Sequence, residues 1–365
     1  MVEFISLKRQ NSLYENEYEQ ALLRAARSGW YILGTELQQF ESEFASYLGM
    51  EHCIGVNSGL DALILAVRAL GIGPGDEVIV PANTYIASVL GITENGATPV
   101  FVDPDAFFCL DADRIEEAIT ERTRAILPVH LYGEPCDMEK ICDIAERHHL
   151  FVIEDCAQAH GAEQNGRKIG TFGDINCFSF YPTKPLGAQG DAGALVTRNA
   201  ELAEKLRMMR NYGSGIKYVN KLVGINSRLD EFQAAILRVG LRHLGEGNLY
   251  RQRIADRYLN EIKNPLITLP QKRENCTHVF HVFAILCEER DALQAFLLEK
   301  GVKTLCHYPI PPHLQECYAY LGHTGGEFPV SERAAKQELS LPIYAGMPME
   351  DVSKVIAEVN AFKGV

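Results

Sequence analysis

Early in the chain, apolar positions recur at helical spacing. The stretch TELQQFESEFASYLG sets Leu37, Phe40, Phe44 and Leu48 on one face, and SGLDALILAVRALGIG reads as a second helix that ends in glycine. The period then shortens. EVIVPANTY, TPVFVDPD, RAILPVHLYG, LFVIEDCAQ, INCFSFYPT and AGALVTRN are short runs rich in Val, Ile and Phe, separated where there is room by amphipathic segments such as DADRIEEAIT and MEKICDIAERHH. Continuous apolar runs alternating with helices predict an α/β fold, with a mostly parallel sheet flanked by helices on both faces.

From about residue 240 the texture changes to a long charged helix (LYRQRIADRYLNEIKN), a further apolar run (HVFHVFAILC) and a closing helix (MEDVSKVIAEVNAF). This predicts a large domain over 1–240 and a smaller C-terminal α/β domain over 241–365. Just before the change, NYGSGIKYVNKLVGINSRLDEFQ is rich in Gly, Asn and basic residues and has no period. An irregular stretch of that length in a compact protein is more often functional than idle.

Composition narrows the class. At 365 residues and 47% apolar content the chain can build a sizeable core. A net charge of −13 argues against a nucleic-acid surface, so an anionic ligand needs locally placed donors. Ten cysteines are scattered without a CxxC pair, which suits free thiols in a reducing compartment, and no His/Cys spacing suggests a metal. No apolar signal core opens the chain and no run of about 18 apolar residues crosses it, so a cytoplasmic protein with no membrane or nucleic-acid partner is expected.

The chemistry gathers at strand ends, where sheets of this kind bind ligands. Lys184 follows the apolar FSFYPT and precedes the small-residue turn PLGAQGDAG; Asp155 ends LFVIED one strand–crossover–strand unit upstream. An amine and a carboxylate so placed can converge on one flat heteroaromatic cofactor such as pyridoxal phosphate. The amine would form the Schiff base and the acid would keep the ring nitrogen protonated. The plain alternatives are a solvated lysine and an aspartate capping the next turn.

Gln158 lies three residues beyond Asp155, near enough to touch the same ring, or it is a surface turn residue. Ser58, Gly59 and Leu60 open a helix whose free N–H groups make a phosphate cradle; an ordinary cap, with Ser58 bonding the amide near Asp61, explains the same pattern. Ser179 either reaches that phosphate or is a polar strand residue. Tyr85, after PANT, stacks on a ring or joins the core. The glycines of GIGPG and LGAQGDAG lack the strand-to-helix context that a dinucleotide fingerprint requires.

In this order NSGLDAL, PANTYIAS, VIEDCAQAHGA, FSFYPTKPLGAQGDAGA and GINSRLDEFQAA resemble the sugar aminotransferases of the DegT/DnrJ/EryC1/StrS family, which are fold type I pyridoxal-phosphate enzymes. The similarity runs from FISLKRQN to LSLPIYAGM. It implies that Lys184 is the cofactor-binding lysine and proton shuttle, Asp155 the partner of the pyridine nitrogen, Gln158 the contact to the ring hydroxyl and Tyr85 the stacking aromatic. Ser58, Gly59, Leu60 and Ser179 fall at the phosphate positions. Many relatives read NGT where this chain reads SGL, so backbone donors replace a threonine hydroxyl. Asn226 matches an asparagine that relatives donate from a partner subunit to the cofactor phosphate, implying a homodimer with shared active sites.

Tyr181, Lys217, His307 and Tyr308 resemble positions that relatives use around a nucleotide-linked keto sugar. The resemblance implies amino transfer from an amino acid, expected to be L-glutamate, to a dTDP-3-keto-6-deoxyhexose, giving the 3-amino-3,6-dideoxyhexose. A 4-keto acceptor is the alternative. A dehydratase is disfavoured because relatives of that kind replace the lysine by histidine, and a non-catalytic regulator on the same fold is the third possibility.

Overall fold

The structure, a computed structural model, describes residues 1–364. Its centre is a seven-stranded sheet of β1 (His52–Val56), β2 (Glu77–Pro81), β3 (Thr98–Val102), β4 (Thr123–Ile126), β5 (Phe151–Asp155), β6 (Ile175–Ser179) and β7 (Gly193–Thr197), in the spatial order β1-β7-β6-β5-β4-β2-β3. Every neighbouring pair is parallel except the two that β7 makes with β1 and β6. The parallel pairing of β5 with β6 sets Asp155 opposite Cys177 and aligns the carboxyl ends of the two strands.

The apolar runs lack strict alternation because both faces of the sheet are covered. Ile79 points into one core with Leu37, Phe40 and Phe44, while Val78 and Val80 point into the other with Leu63, Leu65 and Val89. The first core takes its helices from Thr35–Leu48, Met138–His148 and the start of Glu231–Glu261, and the second from Gly59–Ala69, Ile86–Thr93 and Ala200–Met209. The helix Thr35–Leu48 lacks a side-chain cap of its own. Buried Glu231 supplies one from far along the chain, accepting from the amides of Gly34 (2.8 Å), Glu36 (2.8 Å) and Leu37 (3.1 Å), so a carboxylate sits where the helix dipole favours it.

A third core holds Ile254, Ala255 and Tyr258 of the long helix, the antiparallel pair Phe283–Leu286 with Glu338–Leu341, and the helices Arg290–Glu299 and Met349–Ala361. The change of texture at residue 240 falls inside the unbroken helix Glu231–Glu261, whose first half packs on the sheet and whose second half enters this core. Val2 is buried in the same core and pairs with Val302. We therefore propose that the smaller unit comprises the N-terminal strand residue and the chain from mid-helix onward, rather than 241–365 alone. Among the described residues no helix is long and apolar enough to cross a membrane.

Candidate active site

At the carboxyl ends of β5 and β6 lies a cavity of about 390 Å³. Its lining includes Ser58, Gly59, Leu60, Tyr85, Asp155, Gln158, Ser179, Tyr181, Lys184, His307 and Tyr308. Eleven residues singled out in the sequence thus meet in one place, although they come from five separate stretches of chain.

Asp155 ends β5 and is buried. Burial pushes its pKa above the ordinary carboxylate value, opposed by a hydrogen bond from Ser88 Oγ to Oδ2 (2.8 Å), one from the Ala157 amide to Oδ1 (3.1 Å), and the charge of Lys184. Ser88 in turn is 2.7 Å from Thr84 Oγ1; because its proton goes to Asp155, Thr84 is the donor in that contact. This two-hydroxyl relay orients the carboxylate. Thr84 and Ser88 lie one helical turn apart in NTYIAS, a spacing that the sequence reading overlooked.

Lys184 stands in the turn after β6, its backbone amide held by Tyr181 O (2.8 Å). Among the described residues its ammonium makes no hydrogen bond and no ion pair. Burial lowers its pKa to about 8, and the charge of Asp155 limits the fall. A lysine with a depressed pKa and no partner, facing a cavity opposite a fixed carboxylate, is a nucleophile in waiting.

The end of the cavity that could cradle an anion is built by close backbone approach. A Cβ on Gly59 would lie 2.5 Å from Ser179 Cβ, and one on Gly193 would lie 2.3 Å from Ser58 O, so both positions require glycine. The helix Gly59–Ala69 begins its internal bonds with Ala62 N to Ser58 O (3.1 Å), leaving the amides of Gly59 and Leu60 ahead of the first turn. Ser58 Oγ accepts from Asp61 N (3.1 Å), so the capping alternative holds. Its own O–H remains free to donate, so cap and cradle coexist. Ser227 Oγ donates to Asp61 (2.7 Å) and accepts from Asn57 N (3.1 Å), tying this helix start to the segment of Asn226.

Gln158 is spoken for on both sides. Its Oε1 accepts from Tyr132 N (2.6 Å) and its Nε2 donates to Tyr308 OH (3.2 Å), which fixes the orientation of the amide. Tyr85 is half exposed, with its ring centroid 5.1 Å from that of Tyr308 at 36°. Both rings border the cavity.

His307 brings a second relay that the sequence did not suggest. Its Nδ1 is 2.7 Å from Ser340 Oγ, and Ser340 donates to the buried carboxylate of Glu338. The other Glu338 oxygen accepts from the His307 amide (2.6 Å). Burial raises the Glu338 pKa to about 7; its ionised form takes the Ser340 proton, so that Ser340 accepts from Nδ1–H and the lone pair of His307 resides on Nε2. Burial, reinforced by Lys184, lowers the His307 pKa to about 4, so the ring is neutral. Glu338, Leu339, Ser340 and Leu341 form the strand that carries this relay. His281 also lines the cavity, partly buried and with its pKa driven well down chiefly by desolvation, and nothing in HVFHVF marked it.

Two candidates lie elsewhere. Lys217 sits on an exposed hairpin (Ser214–Ile216 with Val219–Asn220), its ammonium 5.2 Å from the ring centroid of Tyr218, and Asn226 bridges to Asn211; neither lines the cavity of its own chain. Behind β5, His130, Glu154 and Cys156 cluster with metal-like proximity. The Glu154 carboxylate already accepts from the amides of Gly170 (2.9 Å), Phe172 (2.6 Å) and Gly173 (2.8 Å) and meets His130 Nε2 at 3.1 Å, so the group is accounted for as a turn-holding network.

A cavity with an anion cradle at one end, a carboxylate at the other and a free amine alongside fits pyridoxal phosphate. The comparisons agree. The model of the DegT/DnrJ/EryC1/StrS aminotransferase family matches residues 13–360. The chain is 53% identical, over 99% of both chains, to a dTDP-3-amino-3,6-dideoxy-alpha-D-galactopyranose transaminase of Aneurinibacillus thermoaerophilus. It is 49% identical to a dTDP-3-amino-3,4,6-trideoxy-alpha-D-glucose transaminase of Streptomyces venezuelae, covering 98% of this chain and 95% of that one. The crystal structure of S. venezuelae DesV in complex with a ketimine intermediate superposes with a TM-score of 0.97 at 49% identity, covering 99% of this chain and 98% of that one. The chain belongs to the DegT/DnrJ/EryC1/StrS aminotransferase family.

Proposed function

We propose that this protein is a pyridoxal-phosphate-dependent aminotransferase. It moves an amino group from an amino acid, L-glutamate, to carbon 3 of a nucleotide-linked keto sugar, a dTDP-3-keto-6-deoxyhexose. The observation that carries the reaction class is the convergence of Lys184 and Asp155 on one cavity with an anion cradle at its end. Support for carbon 3 comes from the relatives, two of which are named for 3-amino sugars at 53% and 49% identity.

When bound, the cofactor supplies a protonated ring that takes up the electron pair left as a carbon beside nitrogen loses its proton. Asp155 holds a proton at the ring nitrogen, and Ser88 and Ala157 keep its carboxylate aimed there. Lys184, close to half neutral near pH 8, holds the cofactor between turnovers; once displaced, its amine carries the proton between the reacting carbons. Gly59, Leu60, Ser58 and Ser179 bind the phosphate. Tyr85 covers the ring.

At the acceptor end, His307 presents Nε2 as an acceptor for a sugar hydroxyl, held in that tautomer by Ser340 and Glu338. Tyr308 and Tyr181 offer phenols beside it. Lys217 and Asn226 act, in this reading, in the cavity of a partner subunit, with Lys217 meeting the diphosphate and Asn226 the cofactor phosphate. Exposed apolar side chains on the segments that would mediate this pairing support a homodimer: Trp30 at 65%, Ile216 at 66%, Tyr218 at 87% and Val223 at 84% exposure.

The test incubates the enzyme with L-glutamate and a panel of 3-keto and 4-keto dTDP-deoxysugars and locates the new amine by NMR. Nitrogen at carbon 3 is the expected result. Nitrogen only at carbon 4 overturns the regiochemistry, loss of water without amination makes the protein a dehydratase, and no turnover with any sugar points to a regulator.

A further inference from the structure

A second cavity, of about 330 Å³, lies on the other side of the loop that carries Lys184. Pro182, Pro185, Leu186 and Gly187 line it, while Tyr181, Thr183 and Lys184 of the same loop face the first. Its floor is the long helix, which contributes Arg251. That side chain is 1% exposed, heads the largest fully buried side chains, and makes no hydrogen bond or ion pair among the described residues; its Nη1 is wholly enclosed. Burial lowers its pKa to about 10, which still leaves it cationic at neutral pH.

Arg253 borders the same cavity, also without a hydrogen bond or an ion pair among the described residues, and Gln10 and Asn11 face it from the N-terminal helix. Glu246, the acidic member of the lining, is engaged by Tyr14 OH (2.9 Å) and lies 3.7 Å from His243 Nδ1. An unpaired buried guanidinium costs several kcal/mol in stability if nothing neutralises it. Arg253 is exposed to solvent, whereas Arg251 is buried without a counter-charge, which is conspicuous in a chain of net charge −13.

We infer that this cavity is a second binding site, for a small oxyanion of the carboxylate or phosphate class, with Arg251 as its central donor. It lies outside the cofactor cavity and goes beyond the reaction proposed above. The planar five-donor head of arginine suits a two-oxygen ligand. The anion replaces the counter-charge the fold omits, and because both cavities share the 182–187 loop, its arrival stiffens the segment that holds Lys184.

Thermal unfolding of the full-length, cofactor-loaded protein tests this in a zwitterionic buffer of low ionic strength, titrated with sodium acetate or sodium phosphate against sodium chloride at matched ionic strength. A saturable rise in Tm of roughly 2–5 °C with acetate or phosphate beyond that with chloride is expected. Saturation by acetate but not phosphate assigns a carboxylate, and the reverse a phosphate. Arg251→Met should abolish the saturable part and, in the anion-poor buffer, melt no lower than the parent, because an unbranched apolar chain following the arginine stem removes an unpaired charge.

A second variant, Gly247→Val, keeps Arg251 and narrows the site, since even a single Cβ there would lie 3.5 Å from Arg251 Nη1. It too should lose the saturable rise. The inference is overturned if parent and variants respond identically to every anion, or if Arg251→Met melts lower by the same amount in all buffers, as a guanidinium satisfied by water alone would require.

Discussion

The pKa of Lys184 gives the sharpest prediction, because cofactor capture depends on the neutral amine. Burial takes the group from 10.5 to about 8. The penalty on the charged form is then on the order of 3 kcal/mol, at 1.36 kcal/mol per unit. At pH 7.5 about a quarter of the lysine is neutral, against about one part in a thousand for an unperturbed side chain. The sign follows from the amine being the nucleophile: protonated below its pKa it is inert, so the rate of cofactor capture climbs with pH and levels off above about 8. Stopped-flow absorbance of the apoprotein mixed with saturating pyridoxal phosphate, from pH 6 to pH 10.5, measures it. Asp155→Asn removes a charge that raises the lysine pKa, so its profile shifts to lower pH. A rate still climbing steeply at pH 10, or an Asp155→Asn profile moved upward, refutes the reasoning.

The second relay can be tested by Ser340→Ala, which frees His307 to take the other tautomer. The sugar half-reaction should slow by about 10-fold or more while the glutamate half-reaction, followed by single-turnover absorbance, is unchanged. Ser88→Ala removes a hydrogen bond to the buried Asp155 carboxylate and should lower kcat in both half-reactions by about 10- to 150-fold, at roughly 1.5–3 kcal/mol for a bond to a charged group, with a raised apparent carboxyl pKa in the pH profile. Gly193→Ala sets a Cβ against Ser58 O and should weaken cofactor retention on dialysis, whereas the same change at exposed, unstrained Gly245, with open space around its Cβ, should not. Glu231→Ala leaves the start of the helix Thr35–Leu48 without its acceptors and should cost about 3 kcal/mol or more of stability in urea denaturation, an effect that would be absent if water replaced the carboxylate without loss.

The parts of the site written in local sequence were legible. An amine after an apolar strand, an acid ending another and a small-residue helix start each have a physical reason that acts over a few residues. Asp155, Lys184 and the cradle accordingly lie where the pattern put them, at aligned strand ends. What escaped depends on contacts far apart in sequence. Ser340 and Glu338 matter only because the strand Glu338–Leu341 packs beside His307. Glu231 caps a helix nearly 200 positions upstream, which no local pattern encodes. The boundary we propose to shift from 240 has a related reason: composition changes there, but the helix does not stop, because its two halves serve different cores.

By itself the sequence determined the fold class through its hydrophobic period and, through its ordered family motifs, the reaction class; it also named most of the residues that line the cavity, since motifs and period are properties of short stretches. Tertiary structure decided everything that needs two distant groups in one low-dielectric space. It set the depressed pKa of Lys184, the tautomer of His307, the orientation of Asp155 through Ser88, and the isolation of Arg251. Charge and hydrogen bonding gain their strength from the exclusion of water, and only the folded chain determines where water is excluded.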